Sequence, residues 1–282
     1  MTDYRPPIRR HIEAMAPYIP VEPPEVWATR LGIPLECLVK LDANENPYGP
    51  SPRAREALST LPNAQIYPDP TQRALRTALA RWLGVDAEQV LAGAGSDELI
   101  DLVLRLTLEP GDVVLDCPPT FGMYRFCAAV CAGQMRLAPR RADFSLDLPA
   151  IEAAAQDGRA RVLFLTSPNN PDGSLTPPEA IERLLRLPLL VVVDEAYIEF
   201  SGAPSLAPQV AAHTNLIVLR TFSKWAGLAG LRVGYGVFPG ALMPHLWKIK
   251  QPYNISVAAA AAAVASVEDH EYLLQNVHRL VQ

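Results

Sequence analysis

Several polar groups stand where apolar runs end. Asp194 closes LLVVVD, Asn170 lies in the turn SPNNPDG behind RVLFLT, and Ser223-Lys224 follow NLIVLRT, with Arg232 further along TFSKWAGLAGLR. An ionised aspartate behind a wholly apolar run is costly to desolvate unless a cation or strong donors meet it. Tyr197, in DEAY, can present a phenol beside that acid. Lys224 is unusual by type, because Lys40, Lys224, Lys248 and Lys250 are the lysines of a chain that otherwise uses arginine. A lysine amine in such company can serve as a nucleophile or a proton carrier. The run AGAGSDE, with Gly95, Ser96 and Asp97, is a glycine-rich turn opening a helix with Ser96 as its expected N-cap. Free N–H groups and the positive helix end make it an anion cup.

Each piece has a plainer reading. Lys224 alone could be a solvated loop residue, SPNNPDG a turn, Asp194 a helix-capping acid and AGAGSDE a capped helix start. Together they supply an anion cup, a serine, an arginine, a carboxylate, an amide, a phenol and an amine. Those are the requirements of pyridoxal 5'-phosphate. Lys224 would bind its aldehyde, and Asp194 would keep its ring nitrogen protonated. Asn170 and Tyr197 would donate to its phenolic oxygen. Gly95, Ser96, Asp97, Ser223 and Arg232 would hold its phosphate, and Phe121 would cover its ring.

Alternating elements must position these groups. TQRALRTALARWLG has helical apolar spacing, with Thr71 as expected N-cap and Gly84 as stop. VLAG (90–93), DVVLD (112–116), RVLFLT (161–166), LLVVVDEA (189–196) and NLIVLRT (215–221) read as strands, the longer ones apolar enough to be covered on both faces. Helices are expected over DELIDLVLRLTL and TFGMYRFCAAVCA, and LRVGYGVF (231–238) reads as an antiparallel or edge strand. The alternation predicts an α/β fold with a mostly parallel sheet and helices on both faces. Ligands of such sheets bind beyond the carboxyl ends of the strands, where the polar groups cluster. Residues 1–45 read as a proline-rich arm, 46–258 as the cofactor-binding domain, and 259–282 as helices leading to a small domain. In the tail, Tyr272, Leu273, Val277, Leu280 and Val281 share one helical face, which implies a segment or partner to cover it.

Bulk properties narrow the classes. The chain has 282 residues, 49% hydrophobic and 20% charged, with a formal net charge of -5. That acidity gives no basic stripe for nucleic acid. The alanine-rich run at 257–267 is too short for a membrane span, and the N-terminus lacks a secretory h-region. Cys37, Cys117, Cys127 and Cys131 have no paired metal-ligand spacing and read as packing thiols of a cytoplasmic protein, with no metal site.

The motifs NENPYG, SPNNP, DEAYIEF, SKWAGLAGLR and QPYN together resemble the fold-type I pyridoxal-phosphate enzymes, and among their aminotransferases the histidinol-phosphate family. The resemblance covers nearly the whole chain. It implies transamination between L-histidinol phosphate and 2-oxoglutarate, giving imidazole-acetol phosphate and L-glutamate, in histidine biosynthesis. It makes Lys224 the cofactor lysine and proton shuttle, Asp194 the partner of the ring nitrogen, Asn170 and Tyr197 the partners of the phenolic oxygen, and Arg232 a phosphate ligand. Phe121 would stack on the ring, while Tyr18, Asn44 and Glu45 would border the substrate. Tyr67 would reach the phosphate of a neighbouring subunit, so a homodimer with shared sites is implied. Family members continue into a small-domain segment with substrate-binding arginines, so the chain is expected to be a truncated form. Asp172 stands where the commonest family pattern has threonine. A threonine-phosphate decarboxylase-like enzyme and an inactive cofactor-binding pseudoenzyme are the alternatives.

Overall fold

The computed structural model describes residues 6–282, so residues 1–5 of the expected arm lie outside the described residues. Seven strands form one sheet: β1 Val90–Gly93, β2 Val113–Asp116, β3 Gln134–Leu137, β4 Ala160–Thr166, β5 Leu190–Asp194, β6 Leu216–Thr221 and β7 Gly234–Val237. Their order is β1-β7-β6-β5-β4-β2-β3. Pairing is parallel from β6 to β3, whereas β7 pairs antiparallel with both β6 and β1. Because β7 reverses between them, β1 and β6 point the same way. The ends of β1, β4, β5 and β6 and the start of β7 therefore share one edge of the sheet. That geometry brings Gly95, Asn170, Asp194, Lys224 and Arg232 into one region although they span half the chain.

The apolar runs are continuous because both faces of the sheet are covered. Val191 and Val193 face one core cluster with Leu163, Leu165 and Val218. Val192 faces the other with Phe164 and Ile217. Helices α3 Pro52–Ser59, α4 Arg73–Leu83, α7 Leu148–Ala155, α8 Pro178–Leu184 and α10 Val257–Glu268 cover the first face. Helices α5 Ser96–Thr107, α6 Met123–Val130 and α9 Met243–Ile249 cover the second. The result is a three-layer α/β architecture. The arm is less irregular than its prolines suggest, since it carries short helices α1 Arg10–Glu13 and α2 Pro24–Leu31. Pro24 opens α2, where a missing N–H costs nothing.

Local details correct the sequence reading. Thr71 is not the cap of α4. Gln72 holds that position with a left-handed φ of 54°, and the Asp69 carboxylate accepts from the N–H groups of Thr71 and Arg73. Ser96 is the first residue of α5, and Gly95 is its cap at φ 81°. The 231–238 segment forms an interior antiparallel strand, β7, and the edge strands are β1 and β3. Strand β3 was not expected, because QMRL is partly exposed and carries no apolar run. The tail helix α11, His270–Val281, buries Leu273 and Val277 but leaves Tyr272, Leu280 and Val281 exposed, so the expected face is only half covered. Among the described residues, no helix is long and apolar enough to cross a membrane.

Candidate active site

A cavity of about 530 Å³ opens at the shared edge of the sheet. It is lined by Ser96, Asp97, Phe121, Asn170, Asp194, Tyr197, Ser223, Lys224 and Arg232, and on the arm side by Tyr18, Asn44 and Glu45. Twelve of the residues singled out from sequence thus meet in one place. Gly95 sits immediately behind this lining, where an added Cβ would come 2.6 Å from Arg232 Nη2. Tyr67 lies elsewhere on this chain, exposed and stacked on Tyr253 with ring centroids 4.5 Å apart.

Asp194 ends β5 and is 2% exposed. Its carboxylate accepts from Tyr124 Oη at 2.8 Å and from the Ala196 N–H at 3.1 Å. No cationic side chain is paired with it among the described residues. Burial consequently pushes its carboxyl from 3.8 up to about 6, against the pull of those two donors. Tyr124 also bonds Thr166 Oγ1 at 2.8 Å, which ties α6 to the ends of β4 and β5.

Lys224 donates from Nζ to the Ala43 carbonyl at 2.7 Å. Burial holds its amine below the ordinary lysine value, opposed by the charge of Glu45. Asn46 of NENPYG donates from Nδ2 to the carbonyls of Lys224 and Trp225, at 3.0 and 3.2 Å. A side chain at Gly227 would strike the Gly49 backbone 2.5 Å away, so the arm closes directly on the lysine loop. Asn44, itself left-handed at φ 50°, donates to Tyr197 Oη at 3.0 Å. Burial raises the Tyr197 phenol, and the Asn44 bond opposes that rise. Behind Tyr197, the buried Arg220–Glu199 pair, at 2.7 Å, pins the short turn Ile198–Phe200 onto β6.

The anion cup is built from two sides. Helix α5 has no side-chain cap at Gly95, and its first residues, Ser96 and Asp97, line the cavity. Arg232, held left-handed at φ 51°, places Nη2 2.9 Å from Asp97 Oδ2. Thr221 Oγ1 donates to Ser223 Oγ at 3.0 Å, which sets a second hydroxyl beside the cup. A Cβ on Gly234 would lie 2.6 Å from the Ser96 nitrogen, so only glycine lets β7 approach the helix start. Asp172 closes its own turn, accepting from Asn169 Nδ2 and the Ser174 N–H.

Sequence reasoning missed Tyr124, Asn46 and the Ala43 carbonyl. Tyr124 falls inside the expected helix TFGMYRFCAAVCA, where nothing marks it from its neighbours, and a backbone acceptor has no residue signature. Asn46 was visible in the NENPYG motif.

The donor set fits pyridoxal 5'-phosphate. A buried carboxylate without a cationic side chain suits a protonated ring nitrogen. A cup of helix N–H groups, hydroxyls and a guanidinium suits a phosphate dianion. Among the described residues, no group of three or more His, Cys, Asp or Glu side chains is placed to hold a metal ion.

Comparison with known proteins agrees with this chemistry. The model of the family "Aminotransferase class I and II" matches residues 36–282. The chloroplastic histidinol-phosphate aminotransferase of Nicotiana tabacum is 54% identical over 275 residues, covering 98% of this chain and 67% of its own length. The histidinol-phosphate aminotransferase of Roseiflexus castenholzii is 50% identical, covering 97% of this chain and 75% of its own length. The crystal structure of histidinol-phosphate aminotransferase from Sinorhizobium meliloti in complex with pyridoxal-5'-phosphate superposes with a TM-score of 0.88 at 29% identity. That match covers 99% of this chain and 76% of the other. The chain therefore belongs to the class I and II aminotransferases, as a member of their histidinol-phosphate branch.

Proposed function

We propose that this chain catalyses pyridoxal-phosphate-dependent transamination between L-histidinol phosphate and 2-oxoglutarate, giving imidazole-acetol phosphate and L-glutamate. One observation carries the reading: Lys224, Asp194, Asn170, Tyr197 and Arg232 line a single cavity. When bound, the cofactor supplies an electron sink that makes a substrate Cα–H acidic.

The residues divide the remaining work. Lys224 is the amine that anchors the cofactor aldehyde and then moves the proton at the substrate Cα. Burial lowers its basicity, which favours the neutral amine that such a transfer needs. Asp194 holds a proton on the ring nitrogen, and Tyr124 with the Ala196 N–H orients the carboxylate. Asn170 and Tyr197 donate to the ring's phenolic oxygen. Arg232, Ser223 and the Gly95–Ser96–Asp97 cup hold the phosphate, and Phe121 covers the ring face. Tyr18, Asn44 and Glu45, on the arm, border the substrate and exclude water. In this reading Tyr67 serves the cup of a second copy, so the working unit is a homodimer. Its exposure, and its place outside its own chain's cavity lining, support that placement. Residues 46–258 form the cofactor domain in this scheme. Four free cysteines suit a reducing aqueous compartment.

The test is a coupled assay of the purified chain with cofactor, L-histidinol phosphate and 2-oxoglutarate. Glutamate formation is expected, abolished by Lys224→Ala. Carbon dioxide released from threonine phosphate, without glutamate from histidinol phosphate, would overturn the assignment.

A further inference from the structure

A second polar cluster lies behind the anion cup, outside the cavity lining. Glu98, in the first turn of α5, accepts at Oε2 from the Ala94 N–H at 2.6 Å and from Asn254 Nδ2 at 2.8 Å. Asn254 Nδ2 also donates to the Ala92 carbonyl at 3.1 Å. Asn254 Oδ1 in turn accepts from Gln72 Nε2 at 2.8 Å and from Lys250 Nζ at 3.1 Å. Gln72 completes the set. Its amide donates to the Ala92 carbonyl at 2.9 Å and accepts from the Ala92 N–H at 3.0 Å, as a neighbouring strand would. Strand β1 is an edge strand, so this side chain supplies the pairing its outer side lacks.

The cluster joins three distant segments at Ala92–Gly95, the turn that sets the direction of the cup. A carboxylate this close to an anion site repels the anion, so its charge alone does not explain Glu98. Its bond to the Ala94 N–H does, because that bond fixes the Gly93–Ala94 peptide at the start of the turn, which the Gly95 N–H closes onto the Gly93 carbonyl at 2.8 Å. Lys250, linked through Asn254, offsets the unfavourable charge and polarises the chain of bonds. Lys250 is 6% exposed, so a solvated surface role does not account for it either.

We infer that Glu98, held by Asn254 and Lys250, is a positioning residue that sets the Ala94–Gly95 turn for the cofactor phosphate. The inference rests on the cofactor reading above. It assigns affinity for the phosphate group to side chains that do not touch it.

The test compares pyridoxal 5'-phosphate with pyridoxal, which lacks the phosphate, in equilibrium titrations of the cofactor-free chain. Glu98→Ala should weaken the phosphorylated form about tenfold or more, the scale of one charge-assisted hydrogen bond, while pyridoxal changes less than about twofold. Asn254→Ala should act in the same direction. Glu98→Gln keeps an acceptor for the Ala94 N–H and should restore binding to within about threefold of the parent. Equal losses for both ligands, or no loss for either, would overturn the positioning role. A parent chain that does not prefer the phosphorylated form would instead overturn the cofactor reading itself.

Discussion

Replacing Asp194 by asparagine should remove function and stabilise the cofactor-free chain. The carboxyl is buried at 2% exposure and pushed from 3.8 up to about 6 by desolvation. A rise of that size costs the charged form about 3 kcal/mol at neutral pH. The sign follows from proton binding. Between pH 3.8 and about 6 the folded chain holds the Asp194 proton while the unfolded chain has lost it, so stability falls as pH rises through that window. Asparagine has nearly the same shape and carries no charge to desolvate. Its one oxygen accepts from the Ala196 N–H, and its amide nitrogen donates to Tyr124 Oη, which turns from donor to acceptor. The cofactor-free Asp194→Asn chain should therefore gain up to about 3 kcal/mol at pH 7, an upper bound because the new amide N–H groups need partners of their own. That gain should shrink toward zero as pH drops to about 4, the ordinary carboxylate range. Urea unfolding of both chains, freed of cofactor, at several pH values measures it. The same variant should lose about a hundredfold or more in kcat/KM, because a buried cation on the ring would be left without its counter-charge. A variant less stable than the parent at pH 7, or a gain independent of pH, would refute the claim that Asp194 is an unpaired buried charge until a cation meets it.

Other expectations test neighbouring parts of the site. Tyr124→Phe removes the phenol that donates to Asp194 and should lower kcat about tenfold with little change in KM, read by steady-state kinetics. Gly95→Ala forces a Cβ to within 2.6 Å of Arg232 Nη2 at a φ of 81°, and should cost about 1–3 kcal/mol in denaturant unfolding. Arg232→Lys keeps the charge but loses the planar fork, so affinity for the phosphorylated cofactor should fall more than affinity for pyridoxal. Mixing a Lys224→Ala chain with a Tyr67→Phe chain tests sharing between subunits. Sites that recombine Lys224 of one copy with Tyr67 of the other should restore part of the cofactor affinity that Tyr67→Phe alone loses, and strict additivity of the two preparations would exclude a shared site.

The parallel strands were legible because burial on both faces writes them as unbroken apolar runs. A polar residue at the end of such a run, like Asp194 behind LLVVV, stands out for the same reason. Strand β3 escaped because its QMRL residues sit on an exposed edge, where polarity is permitted. The start of α4 escaped because its cap is a left-handed Gln72 supported by Asp69, while sequence pattern favours the adjacent threonine. Ser96 was displaced by one residue because Gly95 supplies the turn that a capping side chain otherwise would. Contacts distant in sequence were the least readable part. Asn44 meets Tyr197 across 153 residues, and Asn254 meets Glu98 across 156, and neither pairing leaves a local signal. Ala43 contributes only a carbonyl, which no sequence pattern distinguishes.

Covalent attachment of the cofactor at Lys224 can be measured without any turnover. The chain is incubated with pyridoxal 5'-phosphate, treated with borohydride to make the bond permanent, digested, and its peptides weighed. A single cofactor-derived mass increment on the peptide holding Lys224 is the expected result. The increment found instead on Lys40, Lys248 or Lys250, or spread over all four, would contradict the assignment of this cavity as the site of chemistry.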